Sequence, residues 1–467
     1  MSHERQRLGP VVFPSPTRPA DPKEQKLLGI YAQRDTGLFM LRVKTPGGRI
    51  TTDPLRRLAR LAAAFTPDYP LHLTTRQDIE LHGLPPDAVT RALEGIAEAG
   101  LTTLGACGDT PRNITLCPAG GMCGGHGDLL PLVLAVKTYL EGLPNIDALP
   151  RKFKISFSGC REACAQPWIN DLGFVMMALD QGRPVFDVIG AGSLGFKPGT
   201  GVLLARGVGV ADVFACLLAA IRIFQRLGDR EHRMRARLRH VRERLGNEVF
   251  LQLFESELAK ARQEAAGAGM AANIGPLSGP AGVMEVARLS LVKGDLTPAQ
   301  AQRLADLCDT HSAWPSLDNH QGVRIFGPAA EPLREALEKD ALLAGFLSPL
   351  SIVTCPGVTW CAKGIADTRS MAERLREVLQ RSRVGRAVTV CISGCPNGCA
   401  QSGVAAIGLS GFTRTVEGVR TECFRVLARG GMGKSPVLAR EVAAAPSPEV
   451  PGIVARLLEN WDSFISI

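Results

Sequence analysis

The sequence predicts an α+β protein whose chain is duplicated, its two halves related by a pseudo-twofold. Two observations lead there. GLFMLRVKTPGGRITTDPLRRLARLAAAF (37–65) and GVMEVARLSLVKGDLTPAQAQRLADLCDTH (282–311) both read as an alternating strand, a turn, a threonine N-cap and an amphipathic helix. The cysteines repeat as well: Cys117-x5-Cys123 precedes Cys160-x3-Cys164, and Cys355-x5-Cys361 precedes Cys395-x3-Cys399, with offsets of 238 and 235 residues between the copies. Two spacings kept in register over that distance mark an internal repeat.

In chain order, residues 1–26 form a Pro-rich arm without periodicity. A small strand, helix, strand unit (27–95) follows and closes with LHLTTRQDIELHGL (71–84), read as one short strand. The larger α/β unit (96–258) holds the first cysteines and VFDVIGAGSLGF (185–196), a strand running into a Gly-rich turn. REHRMRARLRHVRERL (230–245) has the spacing of a solvated amphipathic helix. An Ala-, Gly- and Pro-rich linker (259–281) separates the halves. The second small unit (282–345) closes with PSLDNHQGVRIFGP (315–328), and the second larger unit (346–467) holds the remaining cysteine set and AAIGLSGF (405–412), again read as a strand entering a Gly-rich turn.

With 467 residues, 45% hydrophobic and 21% charged, the chain is long enough for several domains and too apolar for disorder. No apolar run reaches membrane-spanning length and the N-terminal stretch lacks the apolar core of an export signal, so the expected location is the cytoplasm, away from membranes. There, thirteen cysteines serve as metal ligands, nucleophiles or core residues rather than disulfides. A net charge of +9 without a long Lys/Arg block suits small anions or an acidic protein partner and argues against nucleic acid.

Two cysteine pairs brought together by loops supply the four thiolates that a [4Fe-4S] cube needs. The glycines and prolines in TCPGVTWCAKG and SGCPNGC keep the backbone off a regular helix and free amide N–H groups to turn toward sulfur. Zinc is the competing ligand, but its usual knuckles are tighter and the gap between pairs here is long for it. Cys107, Cys216, Cys308, Cys391 and Cys423 lie outside the repeat and are expected to be core thiols.

The segments LRVKTPGGRIT, LTTRQ, GDTPRN, LPRKFK, TCPGVTWC and SGCPNGCAQ, in this order, resemble the nitrite and sulfite reductase family that pairs siroheme with a [4Fe-4S] cluster. The resemblance runs from about Gly29 to the end and implies two ferredoxin-like half units and two siroheme/[4Fe-4S]-binding units. It implies that Cys355, Cys361, Cys395 and Cys399 hold the cluster, that Cys399 also bridges to the siroheme iron, and that Asn397 orients the loop and contacts the cofactor. Arg42, Arg112, Lys152 and Lys154 match the family's basic substrate residues. Arg76 and Arg151 match residues that hold siroheme carboxylates, and Asn113 lies beside that pocket. Such a pocket suits the chemistry: cations draw in an oxyanion, and lysines crowded by like charge deliver protons. His82, His126 and His320 are expected to be ordinary residues.

Matched on the cysteines, Arg151 falls opposite Arg386, Lys152 opposite Ala387, Lys154 opposite Thr389 and Arg112 near Leu350, so the resemblance implies one catalytic siroheme, on the C-terminal cluster. The set Cys117, Cys123, Cys160 and Cys164 departs from single-chain assimilatory members, which generally keep only the C-terminal cluster; dissimilatory relatives carry cysteines in such positions. A second cluster, as electron relay or stabiliser, is the expectation. The expected reaction is six-electron reduction of sulfite to sulfide, favoured by Lys154, where plant-type nitrite reductases carry asparagine. Alternatives are nitrite reduction to ammonia by the same site, a precorrin-3B synthase-like monooxygenase, and a non-catalytic electron-transfer or tetrapyrrole-binding protein. Without a flavin or NAD fingerprint or a C-x2-C-x2-C insert, electrons are expected from an external donor, an acidic ferredoxin.

Overall fold

The structure, a computed structural model, describes residues 21–34, 37–124, 126–267, 274–278, 283–328, 330–384 and 388–461. Most of the N-terminal arm and parts of the linker therefore lie outside the described residues, as do Arg386 and Ala387. Among the described residues no helix is long and apolar enough to cross a membrane.

Strands among the described residues form four sheets, two small and two large, and the duplication is visible in each pair. The first small sheet runs Ile30–Ala32, Phe39–Val43, Ile79–Leu84, Leu71–Leu73 and then Asp295–Leu296, a strand lent by the other half. Its counterpart runs Met284–Leu289, Val323–Gly327 and Trp314–Leu317. LHLTTRQDIELHGL and PSLDNHQGVRIFGP are thus two antiparallel strands each rather than one, because a tight turn reverses the chain within both. Helices Thr52–Phe65 and Pro298–Thr310 pack against each other, and one apolar core joins both small units through Leu41, Leu58 and Ile79 on one side and Leu289, Leu304 and Ile325 on the other. Thr297 forms the expected cap as a capping box with Gln300, whereas Thr51 makes no side-chain cap hydrogen bond.

The two large sheets have one topology. Thr115–Leu116, Ile155–Ser158, Leu172–Asp180, Arg183–Gly190 and Val202–Val208 repeat as Ser351–Thr354, Thr389–Ser393, Ile407–Val416, Val419–Ala428 and Arg440–Pro446, the first two pairings parallel and the last two antiparallel. A parallel pair needs a crossover, supplied by helices Leu130–Glu141 and Thr368–Arg381. By this match AAIGLSGF is the partner of Leu172–Asp180 and enters no Gly-rich turn; the true partner of VFDVIGAGSLGF is the strand Val419–Ala428 with the turn RGGMGK after it. These turns are exchanged between halves: Gly195 and Leu194 lie against Gly398, and Trp168 Nε1 donates to Gly433 O at 2.8 Å.

Two pairs of glutamines hold the halves in register. Gln77 and Gln321 both take left-handed backbone (φ 60° and 62°), which costs a non-glycine residue energy and persists only where the surroundings demand it. Each side-chain amide does so by closing onto backbone: Gln77 bonds Leu116 and Leu317, and Gln321 bonds Thr354 and Leu73. Gln166 and Gln401, which end the two S-G-C-x3-C-A-Q segments, meet directly, Nε2 to Oε1, at 2.7 Å.

Two helices run across expected boundaries. Helix Val89–Glu98 carries the first small unit past residue 95, and helix Asn247–Gly267 occupies the first part of the expected linker. The basic stretch 230–245 is a 3-10 turn at Arg233–Arg235 and a helix at Leu238–Leu245, and it is not solvated: Arg237, Arg239 and Arg242 are buried. The guanidiniums of Arg237 and Arg239 have partners inside the fold, which periodicity alone does not reveal.

Candidate functional site

The C-terminal cysteines sit where the first two strands of the second large sheet end. Cys355 follows Ser351–Thr354 and its sulfur accepts the Gly394 N–H at 3.1 Å; Cys117 in the other half accepts the Gly159 N–H at the same distance. Both S-G-C copies need glycine here, since a Cβ on Gly394 would meet the Ala366 carbonyl oxygen at 2.9 Å and one on Gly159 would collide with the backbone of Gly121. Cys361 ends the short helix Gly357–Trp360 and faces the N–H groups of Lys363 and Gly364, while Cys395 faces the backbone and side chain of Asn397. Burial pushes all three thiols up, as does the nearby Cys399, and the N–H donors pull the other way. Cys399 is the exposed member of the set, and its carbonyl is tied to the first small unit by Thr75 Oγ1 at 3.0 Å.

The N-terminal set also converges. Burial, with Cys123, Cys164 and Cys160 close by, pushes the Cys117 thiol to about 12, and burial with Cys160 alongside pushes Cys123 to about 11. Cys123 and Cys164 are exposed. Among the described residues no three His, Cys, Asp or Glu side chains are placed to hold a single ion.

Facing Cys399 is a crowd of cations from the first half. Lys152 and Lys154 flank Phe153, whose side chain goes into the core, and are themselves half-buried. Burial brings Lys152 down to about 7, reinforced by Arg112, Arg237 and Arg151 and opposed by Cys399. Burial also holds Lys154 well below its ordinary value, with Arg76, Lys152 and Arg237 adding to the effect. Arg112 is aimed by its own loop: Nη1 donates to Ala106 O and Nη2 to Gly108 O, both at 2.9 Å.

The remaining expected residues line the same wall at different depths. Arg42 stands further back, bonded to Glu80 with Asp78 at 3.7 Å, and reaches the crowd through Tyr31 and Cys107, which also face Arg112. Arg76 is buried and spends its Nη groups on Asn170 Oδ1 and the carbonyls of Asn113 and Ile155. Its Nε lacks a partner and Nη1 makes one bond, so donors remain for a carboxylate. Asn113 is fully buried with Oδ1 unpartnered. Arg151 shares Asp109 with Arg233.

A family model described as the nitrite and sulphite reductase 4Fe-4S domain matches residues 107–262 and 348–464, and one described as the nitrite/sulfite reductase ferredoxin-like half domain matches residues 31–99. The chain belongs to the nitrite and sulfite reductase family. It is 29% identical to the assimilatory ferredoxin-dependent nitrite reductase of Haloferax mediterranei, over 93% of this chain and 82% of that protein. With sulfite reductase (ferredoxin) 2 of Mycolicibacterium paratuberculosis the identity is 26%, over 93% and 84%. The solved structure of the Mycobacterium tuberculosis NirA protein shares the fold, with a TM-score of 0.78 and 24% identity over 93% of this chain and 86% of that one.

The family's cofactors are siroheme and a [4Fe-4S] cluster, and the residues present fit both. Four converging thiols with N–H donors aimed at sulfur are what cluster ligation asks for. Lys152, Lys154, Arg76, Arg112 and Arg237 press on one another, with the carboxylates of Asp171, bonded to Arg237, and Asp78, near Arg76, too few to balance them, so the wall requires an anion such as a polycarboxylate macrocycle and its substrate. Among the described residues the N-terminal set has no such wall. Thr389 and Leu350 replace Lys154 and Arg112, and the cation near its sulfurs, Arg324, is paired with Glu285.

The reductase fold also recruits residues the motifs do not announce. Arg237 bonds Asp171 at 2.6 and 3.2 Å, and Asp171 in turn accepts the Lys154 N–H at 2.8 Å, fixing the lysine strand from behind. Arg239 holds the Gly-rich turn through Ser193 Oγ at 2.9 Å and Lys197 O. Neither had a distinct sequence signal, since that stretch has the spacing of any solvated amphipathic helix. Cys107, expected as a plain core thiol, is buried beside Arg42 and Arg112. His82 bonds Glu80 at 3.0 Å, while His126 is exposed.

Proposed function

We propose that this chain carries out the six-electron reduction of sulfite to sulfide at a siroheme held beside Cys399. The observation that supports it is the half-buried group of Lys152, Lys154 and Arg112 around that cysteine. Siroheme and cluster, held by these residues, would pass on electrons from the external donor and supply an iron for the anion to bind. Arg112 and Arg42 present N–H donors to substrate oxygen; Lys152 and Lys154, brought down by burial and like charge, hold and release protons as oxygen leaves as water. Arg76, Arg151 and Asn113 line the macrocycle edge, and Asn397 steadies the Cys395–Cys399 loop. Lys154 favours sulfite. Nitrite is the second reading, favoured by relatives such as the Haloferax mediterranei enzyme. Steady-state assay of both anions with a chemical electron donor and product identification tests this: sulfide or ammonia is expected, and failure to reduce either anion overturns it. A monooxygenase or a passive carrier would have no use for the lysine pair.

The physiological donor is read as an acidic ferredoxin, in line with the ferredoxin-dependent relatives and the charge of +9. A second [4Fe-4S] cluster is assigned to Cys117, Cys123, Cys160 and Cys164 as relay or stabiliser. Iron and acid-labile sulfide per chain check it: two clusters' worth beyond the siroheme iron is expected, falling to one in Cys117→Ala with the siroheme absorbance retained.

A further inference from the structure

We propose that Glu80 sets the charge of the anion pocket, so that the substrate is taken as a singly charged oxyanion, nitrite or hydrogen sulfite, in preference to the sulfite dianion. This rests on the reductase function proposed above. Glu80 is 2% exposed, and its carboxylate is gripped at both ends: one oxygen by the Arg42 guanidinium and the other by His82 Nε2 at 3.0 Å. It cannot swing away, because His82 is itself stacked on Trp360 with ring centroids 4.6 Å apart, and the Arg369 guanidinium lies 4.0 Å from that ring. The groups facing Glu80 are Arg42 from one neighbouring strand, His72 from the other, His82 from its own strand, Asp78 just before that strand, the Cys107 thiol from the adjoining loop, and the Cys361 thiol across the interface.

Arg42 therefore meets two carboxylates, Glu80 and Asp78, and adds hydrogen-bond donors to the pocket without adding net positive charge. Although burial alone would raise it, Arg42 and the His82 hydrogen bond hold the Glu80 carboxyl well below the usual range, so it stays ionised. A fixed negative charge there repels an anion in proportion to the anion's own charge, and a dianion pays twice what a monoanion does. The pseudo-symmetric position, three residues after the left-handed glutamine in the other half, is Arg324. A carboxylate at this place is thus particular to the side that carries the lysines.

The test uses the full chain loaded with its cofactors, as wild type, Glu80→Gln and Glu80→Asp. Dissociation constants for nitrite and sulfite are read from the change in siroheme absorbance on either side of neutrality, where hydrogen sulfite gives way to sulfite, alongside KM and kcat. Wild type and Glu80→Asp are expected to lose more affinity for sulfite than for nitrite on the alkaline side. Glu80→Gln is expected to bind sulfite about tenfold more tightly there, with a much smaller change for nitrite. Equal shifts for the two anions, or none, overturn the proposal. Should Glu80→Gln fail to load, Asp78→Asn must move the ratio the same way, or the proposal falls. If wild type binds the anions with this pattern but reduces neither, the reductase function fails while the charge selectivity stands.

Discussion

Cys399→Ala is expected to end catalysis while leaving the fold intact. Cys399 is the exposed thiol of a set whose other three members are more enclosed, so it alone presents sulfur to the space in front of the lysines. Its backbone carbonyl, held by Thr75 Oγ1, does not depend on the side chain, and the loop is steadied separately by Gln401 through its bond to Gln166. Losing an outer partner of a metal ligand costs ~10- to 100-fold, so losing the ligand should cost more than ~100-fold. The expected signature is reductase activity at background, thermal stability near that of wild type, and altered siroheme absorbance and electron paramagnetic resonance. Equal activity in Cys399→Ala would mean that another residue bridges the two centres.

Lys154→Met, and separately Lys152→Met, should lower kcat by ~100-fold or more through loss of a positioned proton donor. The same changes should stabilise the cofactor-free protein, since each removes a half-buried cation from among Arg76, Arg112 and Arg237. The sign with pH follows from linkage. Lys152 releases its proton near about 7 when folded but at ~10.4 when unfolded, so across that window the unfolded chain binds more protons and stability rises with pH. Denaturant titrations of cofactor-free wild type should show that rise, and Lys152→Met should flatten it. A variant less stable than wild type, or with its slope unchanged, would show that Lys152 is compensated by a partner.

The residues that residue type and spacing could reveal were those whose role is local. The cysteines lie at strand ends because an x5 and an x3 spacing with glycine suits only such loops, and Lys152 and Lys154 share a face because they alternate around Phe153. Arg237 was not legible: it reaches Asp171 across 66 residues of sequence, and nothing in its own helix distinguishes a buried arginine from a solvated one. Gln77, Gln166, Gln321 and Gln401 were equally silent, since a glutamine in left-handed backbone is chosen by what its amide meets in another segment. The acidic pair Asp78 and Glu80 read as the polar side of an alternating strand, yet both are buried against Arg42 because that strand is covered on each face.

The most direct measurement is the crystal structure of the reconstituted protein with sulfite or nitrite bound, with iron positions located by anomalous scattering. Expected are one cluster at Cys355, Cys361, Cys395 and Cys399, the siroheme iron within bonding distance of the Cys399 sulfur, and the anion on its far side against Arg112, Lys152 and Lys154. Siroheme iron bound away from Cys399, or an anion seated away from the lysine pair, would contradict it.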